Sequence, residues 1–278
     1  MNYAVYIISH KRAETISTLN ALRKSGYTGR AYIVVDDKDP QLDEYKKRYK
    51  DDLLVFVKSA YSHVDLYDLN PSFDSAVIPK HAVFDFARSK GMEGVVILDD
   101  DMDNFRYRFY DSEHRLKNVA VESEHALDMV FDACFDFISE TDIPCCIGFL
   151  PAGRFFPDTM TKFIRQCVNM FIVRLDFNCR WTGRFADDEN TFTKQNTVGA
   201  LMFSLQEFNF TSKTYDVSKN EGGMDILNSS QSHYSRHFQL LLGNPWNAPI
   251  TVYDKGGVLR FGTPTPEYTR ILSERWKR

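Results

Sequence analysis

The run Val95-Val96-Ile97-Leu98-Asp99-Asp100-Asp101 limits the possible folds more than any other stretch of the chain. Four apolar residues, three of them β-branched, lead directly into three carboxylates. An unbroken apolar run of this length reads as a strand buried on both faces, as in a parallel sheet covered by helices. Three consecutive acids at its end repel one another. A hard divalent cation, Mg²⁺ or Mn²⁺, prefers oxygen ligands and takes substrate phosphates as partners. The pattern therefore reads as a strand tip that holds a metal against a phosphorylated ligand. The same acids also suit a plain exposed loop.

The sequence before this run alternates strand and helix. Residues 4–8 form an apolar first strand. Residues 13–25 carry Ile16, Leu19 and Leu22 on one helical stripe, with Gly26 as the stop. Residues 31–35 give a second strand ending in Asp36-Asp37, residues 41–50 an exposed charged helix, and residues 53–58 a third strand. A helix opened by Pro79 carries Val83, Phe84 and Ala87 and closes at Gly91. This alternation predicts an α/β fold, Rossmann-like, with a mostly parallel central sheet and helices on both faces. Ligands of such sheets bind beyond the carboxyl ends of the strands. Residues 9–12, Asp36-Asp37 and residues 99–101 all fall there. No GxGxxG or GxxxxGK[ST] follows the first strand, which argues against a dinucleotide or P-loop site.

The second half is less regular. It predicts a helix over 122–139, strands over 145–150 and 168–175, a helix beginning at Asp187 and running to about Leu205, a polar loop over 213–232, and short strands around Gly256-Gly257. No linker divides the chain, so residues 1–278 are expected to form one domain. The formal net charge of −4 advertises no polyanionic partner globally; a nucleic-acid contact has to be a local patch. Five cysteines, an odd number without CxxC spacing, predict reduced thiols and a cytoplasmic setting. The first ten residues read as a strand rather than a signal peptide, and no run approaches the apolar length of a membrane span.

Three motifs carry a family resemblance: Ile7-Ile8-Ser9-His10-Lys11-Arg12-Ala13, then Tyr32-Ile33-Val34-Val35-Asp36-Asp37-Lys38-Asp39-Pro40 with Tyr45 after it, then Ile97-Leu98-Asp99-Asp100-Asp101-Met102. With them the chain resembles the GT-A glycosyltransferases, and more narrowly the TET-associated glycosyltransferases of phages and related genomes. The similarity covers about the first 110 residues. It implies a nucleotide-sugar-binding half over 1–110 and an acceptor-binding, catalytic half over 111–278. It also implies transfer of a sugar from a UDP-sugar to a hydroxymethylated pyrimidine, 5-hydroxymethylcytosine, in phage DNA, inside the host cytoplasm.

The resemblance assigns roles residue by residue. A divalent metal, Mn²⁺ or Mg²⁺, neutralises the departing diphosphate. Asp101 and Asp99 are its expected ligands, Asp99 alternatively facing the ribose, with Asp100 turned back into the fold. A late histidine completes the shell, His233 in preference to His237. Phe185-Ala186-Asp187-Asp188-Glu189-Asn190 resembles the late acidic motif of inverting enzymes, with Asp188 as base and Asp187 in support. Acids at a helix start also suit capping and the helix dipole. Ser9, Arg12, Asp36, Asp37 and Asp99 fall to the donor, where Arg12 suits a diphosphate.

For the acceptor, Arg106, Tyr107 and Arg108 alternate cations with an aromatic, a pattern fitted to phosphate contacts and base stacking. Arg154, Arg180, Arg184 and the tail 275–278 add positive charge, and close approach to the hydroxymethyl group calls for base flipping. Competing functions stay open: transfer to a glycan, lipid or protein acceptor, and a non-catalytic nucleotide or nucleic-acid binding module; a nucleotidyltransferase also places acids at a strand end, but no glycine-rich phosphate loop is present.

Overall fold

Val95, Val96, Ile97 and Leu98 are at most 1% exposed, and their side chains alternate between two separate apolar layers. Val95 and Ile97 enter one, Val96 and Leu98 the other, as the period of two along a strand requires. The computed structural model describes residues 1–67, 75–152, 167–177, 180–213, 232–243, 251–254 and 259–262.

Nine strands form one sheet: β1 (Tyr3–Ile8), β2 (Ala31–Asp36), β3 (Leu53–Phe56), β4 (Gly94–Asp99), β5 (Met102–Tyr110), β6 (Leu116–Ala120), β7 (Cys145–Pro151), β8 (Met170–Arg174) and β9 (Leu201–Ser212), in the order β3-β2-β1-β4-β8-β7-β9-β5-β6. The first four, β3-β2-β1-β4, are parallel, with Tyr6 opposite Tyr32 and Ile97. Beyond β4 the sheet is mixed. β8 runs antiparallel to β4 and β7, β9 runs parallel to β7, and the β5–β6 hairpin is antiparallel to β9. Strands β10 (Thr251–Asp254) and β11 (Leu259–Gly262) pair separately, and Gly256-Gly257 between them lie outside the described residues.

The helices α1 (Ser17–Lys24), α2 (Leu42–Tyr49) and α4 (Ala126–Glu140) cover one face with Leu22, Tyr45, Phe131 and Phe135. The other face is covered by α3 (Val77–Ser89) through Val83, Phe84 and Ala87, and by α5 (Asp187–Thr197) through Phe192. A sixth helix, α6, spans Ser232–Gly243. The α/β class and the helix-covered sheet expected of a GT-A fold are thus what the structure shows.

Several boundaries differ from expectation: the helix expected over 122–139 begins at Ala126, and two further differences have a local cause. The helix beginning at Asp187 stops at Thr197, and residues 201–205 lie in β9 rather than in the helix. Gly199 at φ +89° turns the chain, and Leu201 to Leu205 then pair in register with Cys145 to Phe149. Pairing with a buried strand outweighs the helical pattern of a short apolar run. Helix α1 starts at Ser17 rather than near Ala13, because residues 9–16 are held by the site described next. The expected loop 213–232 lies outside the described residues up to Ser232, apart from Lys213. Four cysteines, Cys134, Cys145, Cys146 and Cys167, are free and buried.

Candidate active site

The acids after β4 are fixed by the start of α1. That helix has Ile16 at its N-cap and no side-chain cap. Its leading amides, which no intrahelical carbonyl can satisfy, instead reach the acidic turn. The N–H groups of Ser17 and Thr18 donate to the Asp100 carbonyl at 3.1 and 3.4 Å. The Thr18 hydroxyl donates to the Asp99 carbonyl at 2.6 Å and accepts the Met102 N–H at 2.9 Å. The backbone of residues 99–102 is therefore pinned from one helix end, which directs the three carboxylates apart.

Asp100 points inward, as expected. It is 4% exposed, accepts the Ser9 hydroxyl at 2.5 Å and pairs with Arg12 at 2.7 Å. Since Ser9 donates there, the Tyr45 hydroxyl donates to Ser9 at 2.7 Å and in turn accepts the Arg12 N–H at 3.0 Å. Burial pushes the Asp100 carboxyl up, and Arg12 and Ser9 only partly offset it. Ser9 and Arg12, read as donor contacts, thus both grip the acidic turn in this structure.

Asp99 and Asp101 have other surroundings. Burial, then the charge of Asp101, raises Asp99 well above the ordinary carboxylate range against the pull of Lys80. Burial and Asp100 raise Asp101, which Ser212 hydrogen-bonds. The Asp101 Oδ1 atom is buried without a hydrogen-bond partner among the described residues. Such an oxygen has lost water and gained nothing in exchange.

The late acids join this cluster through a residue that the motifs did not single out. Lys80, 3% exposed on α3, donates to Asp187 Oδ2 and Asp188 Oδ1, both at 2.5 Å, with its ammonium 4.8 Å from the Phe171 ring centroid. Burial disfavours that ammonium, but Asp187, then Asp188 and Asp99, more than offset it and hold the proton. Asp187 is pushed up to about 6, by burial against Lys80 and then by Asp188. Asp188 also accepts the Asn169 N–H at 3.1 Å. Both acids occupy the first turn of α5 after Ala186 at φ +54°, where the helix dipole favours them. A periodicity signal did exist for Lys80, which shares the spacing of Val83, Phe84 and Ala87, the stripe that α3 buries.

At the tips of β1 and β2, His10 Nδ1 lies 3.3 Å from Asp36 and 3.0 Å from Asp39. These groups cluster closely enough for a metal, yet every carboxylate oxygen already has a donor. Asp36 accepts the Lys38 N–H at 2.9 Å and faces Lys58 at 3.7 Å; Asp39 accepts the N–H groups of Gln41 and Lys11, both at 2.8 Å. The imidazole is raised to about 9, since the two carboxylates outweigh burial, and a protonated ring completes the triad. Asp37 accepts the Lys58 N–H at 2.9 Å. The carboxylate oxygens of the His10 cluster are thus already engaged, whereas Asp101 Oδ1 after β4 is buried without a hydrogen-bond partner among the described residues. The histidine side chains of α6, His233 and His237, lie outside the described residues.

The acceptor trio is split by the pleat of β5. Tyr107 follows Phe105 onto the α4 face, stacked on Phe109 at 5.4 Å and 39% exposed. Arg106 and Arg108 project to the opposite face. Arg108 is 2% exposed and donates to the Gln206 carbonyl at 3.0 Å; Arg106 donates to the Asn118 carbonyl at 2.5 Å. Arg180 is exposed, Arg184 is buried, and Arg154 lies outside the described residues.

The chain matches the family model described as TET-associated glycosyltransferase over residues 3–223. No curated protein matches it. Among solved structures it is similar to S. aureus TarS 1–349, with 17% identity over 77% of this chain and 60% of that one and a TM-score of 0.43. The chain thus spans 60% of that TarS chain. The same TarS segment in complex with UDP-GlcNAc gives 16% identity, 88% and 72% coverage and a TM-score of 0.45. Glucosyl-3-phosphoglycerate synthase from Mycobacterium tuberculosis, in complex with Mn²⁺, UDP and phosphoglyceric acid, gives 11% identity, 95% and 87% coverage and a TM-score of 0.47.

Proposed function

The chain belongs to the TET-associated glycosyltransferases, and on that premise we propose that it moves a sugar from a UDP-sugar to 5-hydroxymethylcytosine in DNA, in the cytoplasm. The observation that carries this reading is the tip of β4, where Asp99 and Asp101 are both raised toward protonation and Asp101 Oδ1 is buried without a hydrogen-bond partner among the described residues. Asp99 and Asp101 would hold Mn²⁺ or Mg²⁺, with His233 as the further ligand. Bound there, the ion neutralises charge on the departing diphosphate.

The chain's own residues do the rest. Ser9 and Arg12 hold Asp100 inward, and Asp37, just past the end of β2, faces the nucleoside, while Asp36 is buried against His10 and supports that turn. Asp188, with Asp187 beside it, accepts the proton of the attacking hydroxymethyl group. Tyr107, 39% exposed, offers an aromatic face for a base, and Arg106 and Arg154 supply cations for the DNA backbone, while Arg108 is buried against Gln206 and takes no part in that contact.

The test is transfer of labelled sugar from UDP-sugars to duplex and single-stranded DNA containing 5-hydroxymethylcytosine, with and without Mn²⁺. Metal-dependent labelling that disappears in Asp101→Ala is the expected result. Labelling of a glycan, lipid or protein but never of DNA would overturn the acceptor, and full activity of Asp101→Ala would overturn the metal site.

A further inference from the structure

We propose that the cavity between α3 and α5 holds backbone phosphate of the acceptor DNA strand, with Arg180 and Lys194 as its cations. The proposal rests on the reading of DNA as the acceptor and adds to it a place where the strand is gripped. The cavity has a volume of about 500 Å³, and Arg88, Arg180, Lys194, His63, Tyr61 and Trp181 are among the residues that line it. That volume is within the range of pockets that hold ligands.

The walls are tied together by specific bonds. His81 on α3 meets the Trp181 carbonyl through Nε2 at 2.9 Å; a carbonyl only accepts, so Nε2 carries the proton. The Tyr67 and Thr182 hydroxyls lie 2.9 Å apart. The N–H groups of Gly183 and Arg184 donate to the carbonyls of Asp65 and Leu66, both at 2.9 Å. Gly183, at φ +86°, makes the turn that this pairing needs. The segment 181–184 is therefore fixed to α3 on one side and to residues 65–67 on the other.

The charges of the lining are unequally engaged. Asp85 accepts the Tyr61 hydroxyl at 2.9 Å and pairs with Arg88 at 3.4 Å, and Asp65 accepts the Tyr67 N–H at 2.9 Å. Arg180 and Lys194 are exposed and make no ion pair among the described residues. Arg88, Arg180 and Lys194 against Asp65 and Asp85 leave the lining positive, on a chain whose net charge is −4. This is the local patch that a nucleic-acid contact requires of such a chain. The His63 ring lies beside Tyr61, with centroids 6.2 Å apart at 32°. Aromatic surface next to free cations is the combination that grips single-stranded nucleic acid, and it favours a DNA strand over a lone phosphate ion.

Position joins the cavity to the reaction site. Trp181 lines the cavity, and the Lys80 ammonium that binds Asp187 and Asp188 lies 5.9 Å from its ring centroid. Lys194 stands on the same helix as those acids, about two turns further on. A strand whose target base reaches Asp188 lays neighbouring phosphates along this wall.

The experiment is fluorescence anisotropy of labelled single-stranded oligonucleotides, with cytosine or 5-hydroxymethylcytosine at one position, titrated with the full chain over a salt series. Wild type is compared with Arg180→Gln/Lys194→Gln and, as a control for lost charge, with Lys46→Gln/Lys47→Gln on α2, which covers the opposite face. All four side chains are exposed, so each variant is expected to fold. The cavity variant is expected to bind about tenfold more weakly, with a log–log salt slope shallower by about 1.4, from two phosphates at about 0.7 each. The loss is expected equally for both bases, because a phosphate contact reads no base; a loss confined to the hydroxymethylated strand overturns the assignment to phosphate. Wild-type affinity and slope in the cavity variant, or a loss no greater than that of the α2 control, overturns the proposal, while sugar transfer to DNA by wild type leaves the acceptor reading standing. Calorimetry with inorganic phosphate separates the sources: phosphate binding that the cavity variant loses, with DNA affinity unchanged, makes this a small-anion pocket and overturns the proposal. Wild type that neither binds nor modifies DNA, while labelling a glycan, lipid or protein, overturns the acceptor and this inference together.

Discussion

The His10 triad gives the sharpest prediction about stability. A single imidazole nitrogen, Nδ1, serves Asp36 and Asp39, and its side chain is 28% exposed. The folded protein holds the ring proton up to about 9, against an ordinary value of 6.5. A histidine raised in this way contributes stability that is fully present below pH 6.5 and is lost as the pH climbs through about 9. The contribution amounts to about 3 kcal/mol, or roughly 6 °C in melting temperature for a chain of this size. Cysteine thiols of the unfolded chain titrate over the same range, so the quantity to measure is a difference between two proteins. Melting temperatures of wild type and His10→Gln are to be followed by circular dichroism from pH 6 to pH 10, in the presence of a chelator. Wild type should start the more stable of the two, and the gap should close by most of those degrees as the pH rises. Two curves that stay parallel across the range would refute the ion triad. A gap that the chelator abolishes at pH 6 would instead make the cluster a metal site. On the acid side the sign reverses for the partners. Asp36 and Asp39 are lowered because His10, with Lys58 on Asp36 and the Lys11 and Gln41 amides on Asp39, outweighs burial. Their share of the stability is therefore lost as the pH falls through those depressed values.

Three further outcomes are expected. Asp100→Ala strands the Arg12 guanidinium, 11% exposed, beside a lost partner; breaking a buried pair in this way costs about 3–5 kcal/mol, read as a lower denaturant midpoint, and an unchanged midpoint would show that Arg12 finds equal compensation elsewhere. Thr18→Val removes the hydroxyl that joins the Asp99 carbonyl to the Met102 N–H; it should cost about 1–3 kcal/mol and raise the Mn²⁺ concentration needed for half-maximal turnover. Asp188→Asn removes the proposed base and should lower kcat by about 10²–10⁴-fold, with the donor KM nearly unchanged in steady-state assays of sugar transfer; a wild-type kcat would move the base to another residue.

Local pattern made the parallel half of the sheet legible. The valines and isoleucines of β1, β2 and β4 leave few alternatives to buried strands, and Gly26 at φ +77° and Gly91 at φ +66° end helices where the sequence places them. The failures share a cause. Leu201 to Leu205 is too short an apolar run to separate helix from strand by period alone, and only its register against β7 decides it. Arg106, Tyr107 and Arg108 are neighbours in sequence, but a strand sends the tyrosine to one face and the arginines to the other, so the composition of the motif says nothing about a shared surface. Thr18 acts through contacts 81 and 84 residues away. Lys80 was visible only as a lysine on a buried stripe, an anomaly of burial with no motif attached.

These misses belong to one electrostatic requirement. Asp99, Asp100, Asp101, Asp187 and Asp188 converge from β4 and α5, and the cations that contact them directly are Arg12 and Lys80. Reading the acids alone, from strand tip and helix start, gives five negative charges with no account of how the chain folds around them. Folding is possible because the charges are divided. Arg12 takes Asp100 on one side of the turn, and Lys80 takes the α5 pair on the other. That leaves Asp99 and Asp101 as the two acids without a directly contacting cation among the described ion pairs, and both are raised by burial. A diphosphate entering there adds negative charge to a place that already carries too much. Donor and divalent cation are therefore expected to bind together, each supplying what makes the other's presence favourable, because neither Lys80 nor Arg12 can leave its own acids to do so.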